Sequence, residues 1–242
     1  MLTIFGRIRR QLLRDGVMLK YLAYGVGEVV LIIIGILLAI EISEWNDQRN
    51  HRVEQRQLME RLVVAVRRDQ EIPIGGVIQV MQRTIDTVRL IEADLRKGEI
   101  TEEAEYALIM YRSDPRSIVR AEFAELRGEI SDQEVAAKLG GYLAYFESAT
   151  QYYESNTKVI LHQVSQQING LLEYETHDGY AGVEGVFDEV RFMQKYRTDV
   201  EFRGTVYRLY LNSRSTYSYF SNLKGFSDEF LVLLESKLAE QN

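Results

Sequence analysis

Tyr21–Ile40 reads YLAYGVGEVVLIIIGILLAI, twenty residues that are apolar throughout except for Glu28. As a helix rising about 1.5 Å per residue, this stretch reaches roughly 30 Å, the thickness of the hydrocarbon layer of a bilayer. A lone segment in lipid must be helical to satisfy its own backbone. The run is longer than the apolar core of a secretory signal peptide, and the EISEWNDQRN that follows offers no small-x-small cleavage site. The sequence therefore predicts an uncleaved anchor that crosses once, over residues 21–45. Tyr21 and Tyr24 at one end and Trp45 at the other frame it as headgroup-level aromatic belts.

Working outward toward the N-terminus, residues 1–20 place Ile4, Phe5, Ile8 and Leu12 on one side of a helix, with Arg7, Arg9, Arg10 and Arg14 largely around the rest. That is the pattern of an amphipathic basic segment lying in the membrane interface. These twenty residues balance at +4 within a chain of net charge −7, which leaves −11 for the remainder. Lys20 stands at the edge of the span, whereas the other flank has no basic residue until Arg49. The positive-inside rule then predicts a cytoplasmic N-terminus and a large C-terminal part that is periplasmic or extracellular. The absence of cysteine fits either side.

Within the span, Glu28 and Gly35 are seven residues apart and so lie within roughly 20° of each other around the helix, with Ala39 beside them. Gly35, Ala39 and Ser43 form a small-xxx-small-xxx-small row, the spacing that lets a second helix backbone approach closely in lipid. A carboxylate at the depth of Glu28 costs a few kcal/mol unless it is paired, protonated or reaching toward water. Two readings follow: Glu28 snorkels to the interface, or it meets a donor or cation on a partner helix that docks on the small row.

The set Lys20-Tyr21, Tyr24, Gly27-Glu28, Gly35-Ile36, Ala39, Ile42, Trp45-Asn46 and Arg49 resembles the N-terminal signature of a bacterial family of uncharacterised single-pass membrane proteins, KYxxYxxGExxLxxxGIxxAxxIxxWNxxR. A looser likeness runs from Phe123 to Glu147, where the family has F-x-x-L-x-x-x-G-x-[IL] and this chain carries its glycine earlier, at Gly128. The resemblance implies an anchored helical domain of the bacterial inner membrane, makes Glu28 part of a motif, and brings no assigned activity.

Beyond the span the chain reads as helical almost throughout, interrupted only by Pro73 and Pro115. The expected architecture is all-α: a single N-terminal transmembrane helix that extends as a stalk over residues 46–70, then an antiparallel helical bundle over residues 71–242. Ile72-Pro73-Ile74-Gly75-Gly76 reads as a breaker. Val77, Met81, Ile85, Val88, Ile91 and Leu95 stripe the next helix, which stops near Gly98, and Thr101 with Glu102 and Glu103 reads as the start of another. Ser131 and Glu134 have the spacing of a capping box. Val135, Leu139, Tyr142, Phe146, Tyr153, Ile160, Val164, Ile168 and Leu171 then form one stripe, ended by the loop THDGYAGVEG. Helices over 186–196 and 202–222, and a last one from Ser227, complete the chain.

Aromatic residues gather on two of these helices. Tyr142, Tyr145, Phe146, Tyr152 and Tyr153 recur at helical spacing, as do Tyr207, Tyr210, Tyr217, Tyr219 and Phe220. Paired bundle helices give such stripes as core. The hydroxyls of Tyr142, Tyr145, Tyr152, Tyr207, Tyr210 and Tyr217 equally suit an aromatic-lined pocket or a partner surface.

Signs of catalysis are scarce. Without cysteine there is no thiolate nucleophile, iron–sulfur cluster or thiolate zinc site. None of His51, His162 and His177 belongs to an HxxxH arrangement, His177-Asp178 reads as a solvated loop pair, and Gly179, Gly182 and Gly185 lack phosphate-loop spacing. No catalytic residue, metal or cofactor is expected. The acidic balance argues against a nucleic-acid partner, and Arg203, Arg208 and Arg214 read as a solvated helix face. Two functions fit: a non-catalytic accessory or scaffold subunit whose anchor docks on other transmembrane helices of a larger complex, or a sensor whose helical bundle binds a small ligand. The partners expected for the first are the lipid bilayer and those helices.

Overall fold

A computed structural model describes residues 17–101, 106, 115–124, 126–168, 171–174 and 185–240. The described chain is helical apart from one very short ribbon, with a long apolar helix near the N-terminus and a packed helical region after it. It divides into two units, Met1–Gln55 and Arg56–Asn242. The interfacial helix expected over residues 1–20 lies outside the described residues up to position 16.

The first unit belongs to helix α1, Val17–Asp69. Every side chain from Tyr24 to Glu54 is exposed. The second unit begins inside the same helix, where Met59, Leu62, Val63, Ala65 and Val66 are buried in the core. The stretch expected as a stalk to position 70 is therefore divided at Gln55, because the apolar stripe from Met59 onward is buried by the helical region.

Pro73 does not break the chain. A π-helical turn, Gln70–Ile74, carries it from α1 into α2, Gly75–Lys97. Proline lacks an N–H, and its ring crowds the carbonyl four residues earlier; the wider turn relieves both problems. Gly75 sends its N–H back to the Gln70 carbonyl, and a Cβ at this position would stand 2.8 Å from that same oxygen, so the turn requires glycine. Helix α2 ends at Gly98, which takes the left-handed conformation (φ 79°) and donates to the Asp94 carbonyl at 2.9 Å. The helix start expected at Thr101 runs into residues 102–105, outside the described set.

Short α3, Ile118–Phe123, is capped by Ser117. Helix α4, Gln133–Tyr152, is capped by Asp132 rather than Ser131: its carboxylate accepts from the Glu134 and Val135 amides and also pairs with Lys237 at 3.1 Å. A second π turn, Tyr153–Thr157, leads into α5, Lys158–Ile168. Past its extra residue Leu161 rather than Ile160 is fully buried, while Val164 and Ile168 are buried as the stripe predicts. Two three-residue strands, β1 Leu172–Tyr174 and β2 Gly185–Phe187, pair antiparallel around the polar loop. Helix α6, Glu189–Thr198, precedes α7, Val200–Glu240. The sequence suggested two helices in place of α7. Leu223, Ser227, Phe230 and Leu234 continue one buried face past Gly225, and that packing outweighs the roughly 1 kcal/mol helix penalty of glycine. Helix α7 is the shared partner of α2, α4, α5 and α6.

Candidate functional site

In the apolar part of α1, which is long enough to cross a membrane, Tyr24 is 78% exposed and Trp45 59% exposed. The 21 helical steps from one to the other span about 31 Å, enough to set the two rings at opposite interfaces. The apolar window has a mean hydropathy of 2.5, and this chain buries none of it. Glu28, Gly35, Ala39 and Ser43 fall within a sector of about 80°. All four are exposed, and apart from the helix's own neighbouring backbone no described atom comes within 4 Å of where a Cβ on Gly35 would stand. Glu28 has no ion-pair partner among the described residues. Lys20 and Tyr21 lie in the first turns of α1, while Arg7, Arg9, Arg10 and Arg14 lie outside the described residues.

The aromatic residues divide. On α4, Tyr142 is fully buried against Phe146 and Phe230, at 6.1 and 6.0 Å between ring centroids. Tyr145 meets Phe226 edge-on at 6.3 Å, and Tyr152 lies on Tyr219 at 4.8 Å while its hydroxyl donates to Asn212. Tyr217 is half-buried against the core. The α4 rings thus meet α7 through Tyr219, Phe220, Phe226 and Phe230. Tyr207 and Tyr210 turn instead to a groove beside α2, with their own centroids 6.1 Å apart. Of the arginine trio, Arg208 bonds the Thr205 hydroxyl and Arg214 lies over the Tyr210 ring at 5.7 Å.

Two buried carboxylates carry the polar structure of the interior, and both stand at core positions of apolar stripes. Asp69 follows Leu62 and Val66 at heptad spacing and is fully buried. It accepts from the Ser117 hydroxyl at 2.6 Å, the Ile118 amide at 2.6 Å, the Val119 amide at 3.4 Å and the Tyr142 hydroxyl at 2.9 Å. The end of α1 is thereby tied to the opening amides of α3, which have no intrahelical partner, and to the middle of α4. Asp94, also fully buried, accepts from the Tyr106 hydroxyl at 2.7 Å and from both the amide and the hydroxyl of Thr101. A polar residue at an apolar register was the available signal for both; their partners, up to 73 residues away, were not readable.

The two carboxyls titrate in opposite directions. Burial raises Asp69, and its four hydrogen bonds do not fully offset that, leaving it above its ordinary value. Burial also raises Asp94, but Tyr106, Thr101 and the nearby Lys97 outweigh it, so it ends below its ordinary value. A lowered carboxyl contributes stability above the unfolded value that is lost as pH falls through the folded one, and a raised carboxyl works the other way. In melts of the full chain in detergent, Asp94→Asn is expected to flatten the loss of stability below about pH 4. An acid limb as steep as in the unsubstituted protein would contradict that assignment.

Among the described residues no three His, Cys, Asp or Glu side chains converge as metal ligands. His177-Asp178 lies outside them. No protein-family model, curated protein or solved structure matches the chain.

Proposed function

We propose that this chain is a non-catalytic, membrane-anchored accessory subunit that docks on a larger complex of the bacterial inner membrane. In this reading residues 21–45 cross the bilayer once from a cytoplasmic N-terminus. The helical region, arranged as an antiparallel bundle around α7, braces the assembly on the periplasmic side. The observation that carries the proposal is the complete lack of cover over the anchor: its apolar side chains, Glu28 and the open space at Gly35 are all left to lipid or to other helices. Scattered lipid contact satisfies the leucines and isoleucines. A partner helix is the better explanation for a carboxylate beside a row of small residues, because close backbone approach and a donor for Glu28 offset the cost of placing it there. The likeness of residues 20–49 to the single-pass family signature supports the same reading.

Glu28→Leu and Gly35→Leu are each expected to weaken association with the partner by about tenfold, the first by removing the polar contact and the second by holding the helices apart. Leucine keeps the helix in the membrane, and the melting of the helical region should not move. Co-extraction of the partner with each variant measures this. Undiminished association in both would remove docking through this face.

A further inference from the structure

We propose that the groove between α2 and α7 is a binding site for a planar aromatic monocarboxylate. The groove is open to solvent and offers about 420 Å³, within the range of small-molecule sites. Its lining includes the apolar Val88 and the small Ala93. One wall carries Tyr207 and Tyr210, whose rings are inclined by only 25°. Tyr207 is 53% exposed, far more than a ring serving the core. The other wall carries Arg89 and Arg96, seven residues apart and so on one face of α2. A flat apolar ring fits against the phenols, and a guanidinium fork takes a carboxylate by two parallel hydrogen bonds.

Charge decides between anions. Arg89 already pairs with Asp86 at 3.3 Å, and Arg214 lies over the Tyr210 ring. Arg96 has no hydrogen-bond or ion-pair partner among the described residues. Glu92 also lines the groove, with one oxygen accepting from the Tyr196 hydroxyl. With Arg96 the one guanidinium of the groove that is uncommitted among the described residues, and Glu92 beside it, a single negative charge is better accommodated than the two of a phosphate dianion. Arg89 beside the Tyr210 hydroxyl holds that phenol below its ordinary value, in keeping with a site arranged around an anion. This site is independent of the docking face in the membrane helix.

Calorimetric titration of the full chain in nonionic detergent with naphthoate tests the proposal, with naphthalene methanol and naphthyl phosphate as comparisons. Naphthoate should bind saturably, one per chain, and more tightly than either comparison. Arg96→Gln should weaken it by about tenfold through loss of the charged fork, and Tyr207→Ala by a similar factor through loss of the ring contact. Both side chains are exposed, so an unchanged melting curve verifies that each variant is folded. Non-saturable uptake, or equal uptake by both variants, would reduce the signal to partition into micelles and overturn the site. Equal or tighter binding of naphthyl phosphate would overturn the monoanion assignment.

Discussion

Asp69→Ala is expected to destabilise the helical region by about 4 kcal/mol, because it strips the acceptor from four donors in the interior at once. The Ser117 and Tyr142 hydroxyls can rotate toward other partners. The Ile118 and Val119 amides cannot, since they belong to the first turn of α3 and have no carbonyl behind them. Asp69→Asn should cost less, as its amide oxygen still accepts from Ile118, and Tyr142→Phe should cost only about 1 kcal/mol. In thermal melts of the full chain in mild detergent, the alanine variant is expected to lose roughly 10 °C. An unchanged midpoint would mean that the end of α1 is held by its apolar contacts alone. Because Asp69 carries a raised carboxyl, the folded unsubstituted protein takes up a proton more readily than the unfolded chain, and mild acidification should widen rather than narrow the gap between Asp69→Asn and the unsubstituted protein.

Phe192→Ala is the second large effect, also about 4 kcal/mol. Phe192 is fully buried and is the hub of an aromatic cluster drawn from separate parts of the chain. It meets Tyr106 at 5.2 Å, Phe187 of β2 at 5.6 Å, Tyr196 of α6 at 6.1 Å and Phe202 of α7 at 5.4 Å. Four rings cannot collapse into the space that one leaves, so the cavity cost adds to the lost burial. Phe192→Leu, which refills most of that volume, should recover more than half of the loss. The same melts measure both, and a loss below about 1 kcal/mol for alanine would show that the cluster relaxes. Neither variant should leave the membrane fraction, because the apolar window of α1 lies in the other unit.

These effects mark where the sequence was readable and where it was not. The apolar run from Tyr21, the stop at Gly98 and the stripes of α2 and α4 could be read directly, because each rests on local periodicity or on a residue with restricted backbone chemistry. Local reasoning failed where packing overruled it. The π turns at Gln70–Ile74 and Tyr153–Thr157 insert an extra residue that periodicity cannot anticipate. Gly225 is carried through by the buried face on either side of it. At the head of α4, Asp132 displaced Ser131 because its carboxylate serves two amides and Lys237 together. Aromatic spacing identified ring-bearing faces but not their partners, which is why Tyr207 and Tyr210 meet α2 rather than the α4 rings. The row of Glu28, Gly35, Ala39 and Ser43 was legible as spacing, and all four are exposed.

The most direct test of an accessory role is to release the native chain from its own membranes with mild detergent and measure the mass and composition of the particle that carries it. The account predicts a particle well above the 28.1 kDa of the chain. It should contain an integral membrane partner at fixed stoichiometry, and that partner should be lost when Gly35 is replaced by leucine. A particle holding only this chain, unchanged by Gly35→Leu, would contradict it.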